Sequence, residues 1–485
     1  MSDVAAPSLH ARAGSRPLWS LTITEASGLI QTGKLSPVDL IEAFLARIDA
    51  VDGRIRSFIH LDSAGAREAA QRAAEELHAG LWRGPLHGIP FGVKDNYDAA
   101  GLPATGNNRT RLTRIAERDA TAVARLRQAG AILLGKLNSW EYGTGNGGEY
   151  FDTPFPTARN PWDIARFAGG SSTGAGAAVA AGTVMFALGS DTTGSVRFPA
   201  AACGVVGLKP TPGRVSRAGI LPNCYSLDVA GTFTWTAMDA ALVLKAIAGE
   251  DADDPVTEPV AVPDYSRHLG KNVAGMRVAV VGTVGPGMPE PDAAMRAAFA
   301  AGLTALEKLG CTLIETSLPV TVADCFAISR FIGPPESAAI HEAEYRDLPE
   351  QLGFALRDKL HSGTMVRAVD YIAAQRRRRH VADVMGTFMR DYDALVTYGA
   401  HHVAPRLGVE PEMTDFTAQS SMTPFNLSSH PALVQCTGFD PGGLPLHWQI
   451  VGNRFDEATI LRLAGAYECA TGWRQARAPI AGVDA

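Results

Sequence analysis

The chain has 485 residues, with 44 Lys and Arg against 50 Asp and Glu and a net charge of −6. That balance argues against a protein built to grip phosphate backbones, which would carry a basic surplus. Apolar residues make up 46% of the chain, enough for a buried core and too many for a disordered one.

Residues 1–20 lack the apolar run of a secretory signal and read as a tail, and 21–80 read as a helical segment packed on the rest. Ser36 before Pro37 starts a helix, with Leu40, Ile41, Phe44, Leu45 and Ile48 at helical spacing. A second helix runs from about Ala64 to Gly80. Short apolar runs then alternate with helices. Ile89 to Val93, Ala131 to Leu134 and Val184 to Leu188 read as strands, with a helix from Thr121 to Gln128. Phe167 to Ser190 holds no charge, yet six glycines interrupt it; buried backbone is expected and not a membrane span. Met276 to Val281, Thr312 to Ile314, Ala394 to Val396 and Leu446 to Val451 read as later strands, between helices such as Pro291 to Leu309 and Met365 to Tyr392. Glu250 to Pro263 reads as a surface excursion. The alternation predicts an α/β fold, a mixed, mostly parallel central sheet covered by helices on both faces, in a single domain over 1–485.

Several motifs fail on inspection. Gly130 to Lys136 imitates a phosphate-binding loop, but Leu137 stands where Ser or Thr should follow. Gly143 to Gly148 has dinucleotide-site spacing without a preceding strand or a following helix. Arg376 to Arg379 spread around a helix as a solvated face. His341-Glu342 is not completed as a zinc motif, because position 345 is Tyr. Six cysteines are scattered without a C-x-x-C pair, which fits reduced thiols in a cytoplasmic protein.

What survives is a pair of glycine- and serine-rich turns. One is Gly169-Gly170-Ser171-Ser172-Thr173-Gly174; the other is Asp191-Thr192-Thr193-Gly194-Ser195-Val196-Arg197. Glycine lets successive N–H groups converge on a developing oxyanion, and a serine in such a nest can attack a carbonyl. That serine needs a base. Lys94, ending an apolar strand, can serve if burial lowers its pKa from about 10.4.

Together these segments resemble the amidase signature family. The Lys94 strand is similar to its lysine motif, Gly169 to Ser172 to its Gly-Gly-Ser-Ser turn, and Asp191 to Arg197 to its nucleophile loop. The resemblance extends from about Leu21 to Trp473, through Asn160-Pro161-Trp162, Cys203 to Thr211, and Pro424-Phe425-Asn426. It implies Ser195 as nucleophile, Lys94 as ultimate base, and Ser171 between them with a cis bond to Gly170. It implies an oxyanion hole from the amides of Thr192, Thr193, Gly194 and Ser195, supported by Ser172, Asp191 and Arg197. No metal or organic cofactor is implied. Thr193 departs from a family glycine, and a β-branched residue resists positive φ, so a reshaped hole is expected.

The resemblance implies a hydrolase of amide C–N bonds, including anilides and carbamates (urethanes), acting through an acyl-enzyme. The alternative is the glutamine-hydrolysing component of a tRNA-dependent amidotransferase. The expected partner is a small-molecule amide or carbamate, with no nucleic acid and no membrane, in a monomer or homodimer. By resemblance the pocket is walled by Trp140, Tyr142, Gly143, Asn146, Tyr225, Tyr398, His401 and Phe425. Such walls suit neutral, partly aromatic substrates. An amino-acid zwitterion would want a charge pair, for which Glu141 and Arg330 are the nearest candidates.

Overall fold

The computed structural model describes residues 12–13, 16–145, 147–148, 150–282, 290–418 and 420–480. Its N-terminal helices begin as their caps dictate. In α1 (Ile23–Gln31) Thr22 and Glu25 form a reciprocal capping box. In α2 (Pro37–Ile55) Ser36 Oγ accepts from the Val38 amide at 3.1 Å, and the row Leu40, Ile41, Phe44, Leu45, Ile48 is buried. The helix α3 (Ser63–His78) starts one residue before its expected position, and α4 (Thr121–Gln128) has the expected bounds.

Eleven strands form the central sheet. They are β1 (Phe58–Leu61), β2 (Pro90–Lys94), β3 (Ile132–Leu137), β4 (Phe186–Asp191), β5 (Val206–Lys209) and β6 (Val229–Thr234). The remaining five are β7 (Arg277–Val281), β8 (Thr312–Glu315), β9 (Ala394–Thr397), β10 (Ala432–Phe439) and β11 (Pro445–Gly452). Their spatial order is β8-β7-β9-β11-β10-β5-β6-β4-β2-β3-β1.

The α/β class and mixed sheet are as expected; the balance of directions is not. Four neighbouring pairs are parallel and six antiparallel, so the sheet is mostly antiparallel. The difference lies in β1, β5, β6 and β10, absent from the sequence reading, which enter only antiparallel pairs. Where no helix crosses over, a strand can return beside its partner in reverse, as β10 and β11 do around the Asp440–Gly443 turn.

Two features position the site. Strands β2 and β4 lie side by side and parallel, with Val93 opposite Leu188, so Lys94 and Asp191 emerge at the same edge. The charge-free segment becomes β4 and α5 (Thr173–Ala181), a helix buried at every residue. A Cβ on Gly174 would stand 2.3 Å from the Ser57 carbonyl oxygen and 2.4 Å from the Asn138 amide nitrogen, so only glycine lets α5 approach this closely.

A helical insertion follows β8. The helices Val322–Ile340, Phe354–Thr364 and Ala368–Met389 lie in it, and the first and last share an apolar cluster that includes Cys325, Ile332, Met385 and Phe425. Among the described residues no helix is long and apolar enough to cross a membrane.

Candidate active site

At the end of β2, Lys94 is 1% exposed. Its ammonium nitrogen donates to Ser171 Oγ at 2.7 Å and to Ser190 Oγ at 3.0 Å. Ser190 also accepts from Asn96 Nδ2 at 3.1 Å. Burial lowers the Lys94 pKa to about 7, against the opposing pull of the Asp228 and Asp191 charges. A lysine with that pKa can hold or release a proton at neutral pH.

The Gly170–Ser171 peptide is cis. Trp140 lies under it: a Cβ on Gly170 would come within 2.2 Å of the indole, and the Trp140 amide donates to the Ser171 carbonyl at 3.0 Å. Ser172 ties the two turns together. Its amide donates to the Ser195 carbonyl at 3.4 Å, and its hydroxyl accepts from the Ser190 amide at 3.4 Å.

The Asp191–Arg197 loop is organised by Asp191. This buried carboxylate accepts from the amides of Gly194 at 2.8 Å and Val196 at 3.1 Å, and from Asn426 Nδ2 at 2.8 Å. Arg197 closes on it from α6 (Arg197–Cys203) and also donates to the Met422 carbonyl at 2.9 Å and to Gln449 Oε1 at 2.8 Å. Burial works to raise the Asp191 pKa. The charge of Arg197 and the hydrogen bonds from Arg197 and Asn426 outweigh it and hold the carboxyl well below the usual range.

Two expectations about this loop change. The Gly194 amide is engaged by Asp191, so it is not free for an oxyanion. Among the described residues no acceptor meets the amides of Thr192, Thr193 or Ser195. The departure at Thr193 is also not a backbone one: the positive φ in this loop falls on Gly194, at 134°, and not on Thr193.

The expected pocket residues divide. Gly143 is at the site: a Cβ built on it would lie 3.4 Å from both Ser171 Oγ and Asn223 Nδ2. Tyr142 stands between catalytic body and insertion, stacked on His341 and donating to Glu344 at 3.1 Å. Tyr225 is exposed and lines a cavity of about 260 Å³ that reaches Asn96 and Ser190. Tyr398, His401 and Phe425 are core residues: Tyr398 stacks on Phe299, His401 meets Ser421, and Phe425 packs with Leu427 and Leu395. Asn146 lies outside the described residues.

The charge pair is corrected as well. Glu141 is occupied by Asn108 Nδ2 at 2.6 Å and the Gly353 amide at 3.0 Å, and burial raises its pKa to about 7. Arg330 is exposed. A cation beside the slot is Lys359 of the insertion, which donates to Asn223 Oδ1 and to Thr144 Oγ1 at 3.2 Å. Burial lowers its pKa to about 8, while Cys224 and Asp228 oppose the shift. Asn223 in turn donates to Thr192 Oγ1 at 3.1 Å, and Thr192 to Asp228 at 2.6 Å. Lys359, Asn223, Asp228 and the Ser190–Asn96 pair were not singled out from sequence. Only Ser190, just before the Asp191 turn, and Asn96, two residues after Lys94, lie next to the segments singled out.

A family model described as Amidase matches residues 39–461. The A-type component of the glutamyl-tRNA(Gln) amidotransferase of Chloroflexus aggregans is 36% identical over 490 residues, covering 95% of this chain and 98% of that one. A solved structure described as a vestigial protein complex, bearing on the origins of an s-triazine catabolic enzyme, matches with TM-score 0.85 and 32% identity, covering 94% of this chain and 100% of that one. The native peptide amidase of Stenotrophomonas maltophilia matches with TM-score 0.82 and 30% identity, covering 96% and 99%. Motifs, fold and site geometry agree with these likenesses, and the chain belongs to the amidase signature family.

Proposed function

We propose that this enzyme hydrolyses the C–N bond of an amide through an acyl-enzyme on Ser195. The observation that carries the reading is the buried Lys94, with a pKa near neutrality, 2.7 Å from Ser171 Oγ. In its neutral form Lys94 takes a proton from Ser171 as Ser171 takes that of Ser195, and Ser195 Oγ attacks the carbonyl carbon. The amides of Thr192, Thr193 and Ser195 receive the developing negative oxygen. The proton returns through Ser171 to the leaving nitrogen as the C–N bond breaks. Water, deprotonated along the same path, then attacks the acyl carbon and restores the Ser195 hydroxyl. A carbamate would follow the same route through a carbamoyl-enzyme.

A second reading has its own support. The curated relatives are components of glutamyl-tRNA(Gln) amidotransferases, which favours glutamine as the amide and a larger assembly as the setting. Lys359 would supply the cation that an amino-acid carboxylate wants beside the slot. The relatives weigh towards this reading more than towards carbamates. The test is kcat/KM of the isolated chain on an anilide, an aryl carbamate, a short aliphatic amide and glutamine. Preference for glutamine by more than about tenfold, roughly 1.4 kcal/mol, selects the second reading; inactivity on all four defeats the hydrolase reading.

A further inference from the structure

A chain of hydrogen bonds separate from the Lys94–Ser171 contact reaches the Ser195 loop, and it starts in the helical insertion. Lys359, on the helix Phe354–Thr364, donates to Asn223 Oδ1. Asn223 Nδ2 donates to Thr192 Oγ1 at 3.1 Å, and the Thr192 hydroxyl donates to Asp228 Oδ1 at 2.6 Å. Chemistry fixes each direction in this chain. An ammonium can only donate, so it meets the oxygen of the Asn223 amide and turns the NH₂ group towards Thr192. Thr192 must then accept from Asn223, which leaves its own hydrogen for Asp228.

The loop that carries Asn223 is clamped from two sides. From the catalytic body, Asp228 Oδ2 accepts from the amides of Asn223 at 2.7 Å and Cys224 at 2.8 Å. From the insertion, Glu336 of the helix Val322–Ile340 accepts from the Ser226 amide at 2.8 Å and from Cys224 Sγ at 3.0 Å. Both ends of the Asn223 side-chain amide and its backbone N–H are thus engaged. Asn223 also stands at the slot, since a Cβ on Gly143 would lie 3.4 Å from its Nδ2 and from Ser171 Oγ. At the other end of the chain, the Thr192 amide is one of those in the Ser195 loop that no acceptor meets among the described residues. A β-branched side chain is stiff at χ1, so holding the Thr192 hydroxyl at two points also holds the backbone that carries this N–H.

We propose that Asn223 is a positioning residue for the oxyanion hole, held by Lys359 so that the Thr192 amide faces the substrate oxygen as it gains charge. The insertion then steadies the transition state without touching the reacting atoms. The proposal rests on the acyl-enzyme reading and extends it to two residues outside the Lys94, Ser171 and Ser195 set. A donor aligned in this way acts on the transition state more than on the bound substrate, so its loss is read in kcat.

The test is kcat and KM on whichever of the anilide, carbamate, aliphatic amide and glutamine the unmodified enzyme cleaves fastest. Asn223→Ala and Thr192→Val should each lower kcat by roughly 10- to 100-fold, less than deleting an oxyanion donor outright, with KM within about threefold. Thr192→Ser keeps the hydroxyl and should retain most of the turnover. The combined Thr192→Val and Asn223→Ala variant should fall no more than about twofold below Thr192→Val alone, because both changes break one chain. Lys359→Met should lower kcat about three- to tenfold, the worth of one hydrogen bond. Full kcat in Asn223→Ala or in Lys359→Met overturns the proposal, as do losses that multiply in the combined variant. So does a Thr192→Ser enzyme as slow as Thr192→Val. A loss carried by KM alone also overturns it and assigns Asn223 to substrate binding. Inactivity of the unmodified enzyme on all four amides would instead defeat the hydrolase reading, and this proposal with it.

Discussion

Asp191 and Arg197, at the two ends of the loop that carries Ser195, meet in a buried two-point ion pair with both contacts at 3.0 Å. With the Gly194 and Val196 amides on the same carboxylate, the loop around Ser195 is fixed from inside. Asp191→Asn leaves Arg197 a buried charge without its partner, which should cost about 3–5 kcal/mol in urea unfolding. The carboxyl is held below its usual range, so its contribution is complete above the unfolded pKa of about 3.9 and is lost as pH falls through the folded value. An unchanged unfolding curve would mean that the loop is held by other contacts.

Lys94 must be neutral to accept a proton, so kcat/KM should rise with pH through about 7. Lys94→Ala should lose roughly 10²- to 10⁴-fold. Lys94→Arg should not recover it, since a guanidinium keeps its proton. Near-normal turnover by Lys94→Ala at neutral pH would reject this base.

A fluorophosphonate should add one label, at Ser195, read by intact mass and peptide mapping, and Ser195→Ala should take none. Chelators should leave turnover unchanged; inactivation with rescue by zinc would reject the serine route.

Gly143 has φ 74°, and a Cβ there faces Ser171 Oγ and Asn223 Nδ2 at 3.4 Å. Gly143→Ala should cost about 1–2 kcal/mol from the left-handed backbone alone. Turnover should fall further than stability, because the added methyl narrows the slot. Full activity with reduced stability would move the substrate elsewhere.

Glu141 is buried with its pKa raised to about 7. An acid that folding keeps protonated stabilises most at low pH, so this contribution declines as pH rises from the unfolded pKa of about 4.3 towards 7. Glu141→Gln should lessen that decline in Tm across the interval. A parallel decline in the variant would assign it to another group.

Much of the candidate site's local structure was legible because it is local. Two Gly/Ser turns and a lysine at the end of an apolar strand each declare their backbone needs within a few residues. The start of α2 was equally plain, since the Ser36 cap and the periodicity agree there, and the helix Thr121–Gln128 has the expected bounds. Strands β5 and β6 escaped because they are short and carry Gly207 and Gly231, which blur a strand pattern. Their antiparallel entry then reversed the expected balance of the sheet. Lys359 and Asn223 meet across 136 positions of sequence, so no spacing rule could pair them. Tyr398 and Phe425 show the converse: an aromatic side chain suits a pocket wall and a core equally, and only tertiary packing decides.

The bond from Lys359 to Asn223 has a consequence for how this enzyme can change. The residues proposed to handle the proton come from the sheet and its turns, whereas Lys359, bonded to Asn223, comes from a helical stretch entered much later in the chain. On the proposed reading, the chemistry and part of the choice of molecule reside on separate stretches of polypeptide. Exchanging the stretch around 342–375 for that of a relative should redirect the enzyme to other amides while Lys94, Ser171 and Ser195 keep their places.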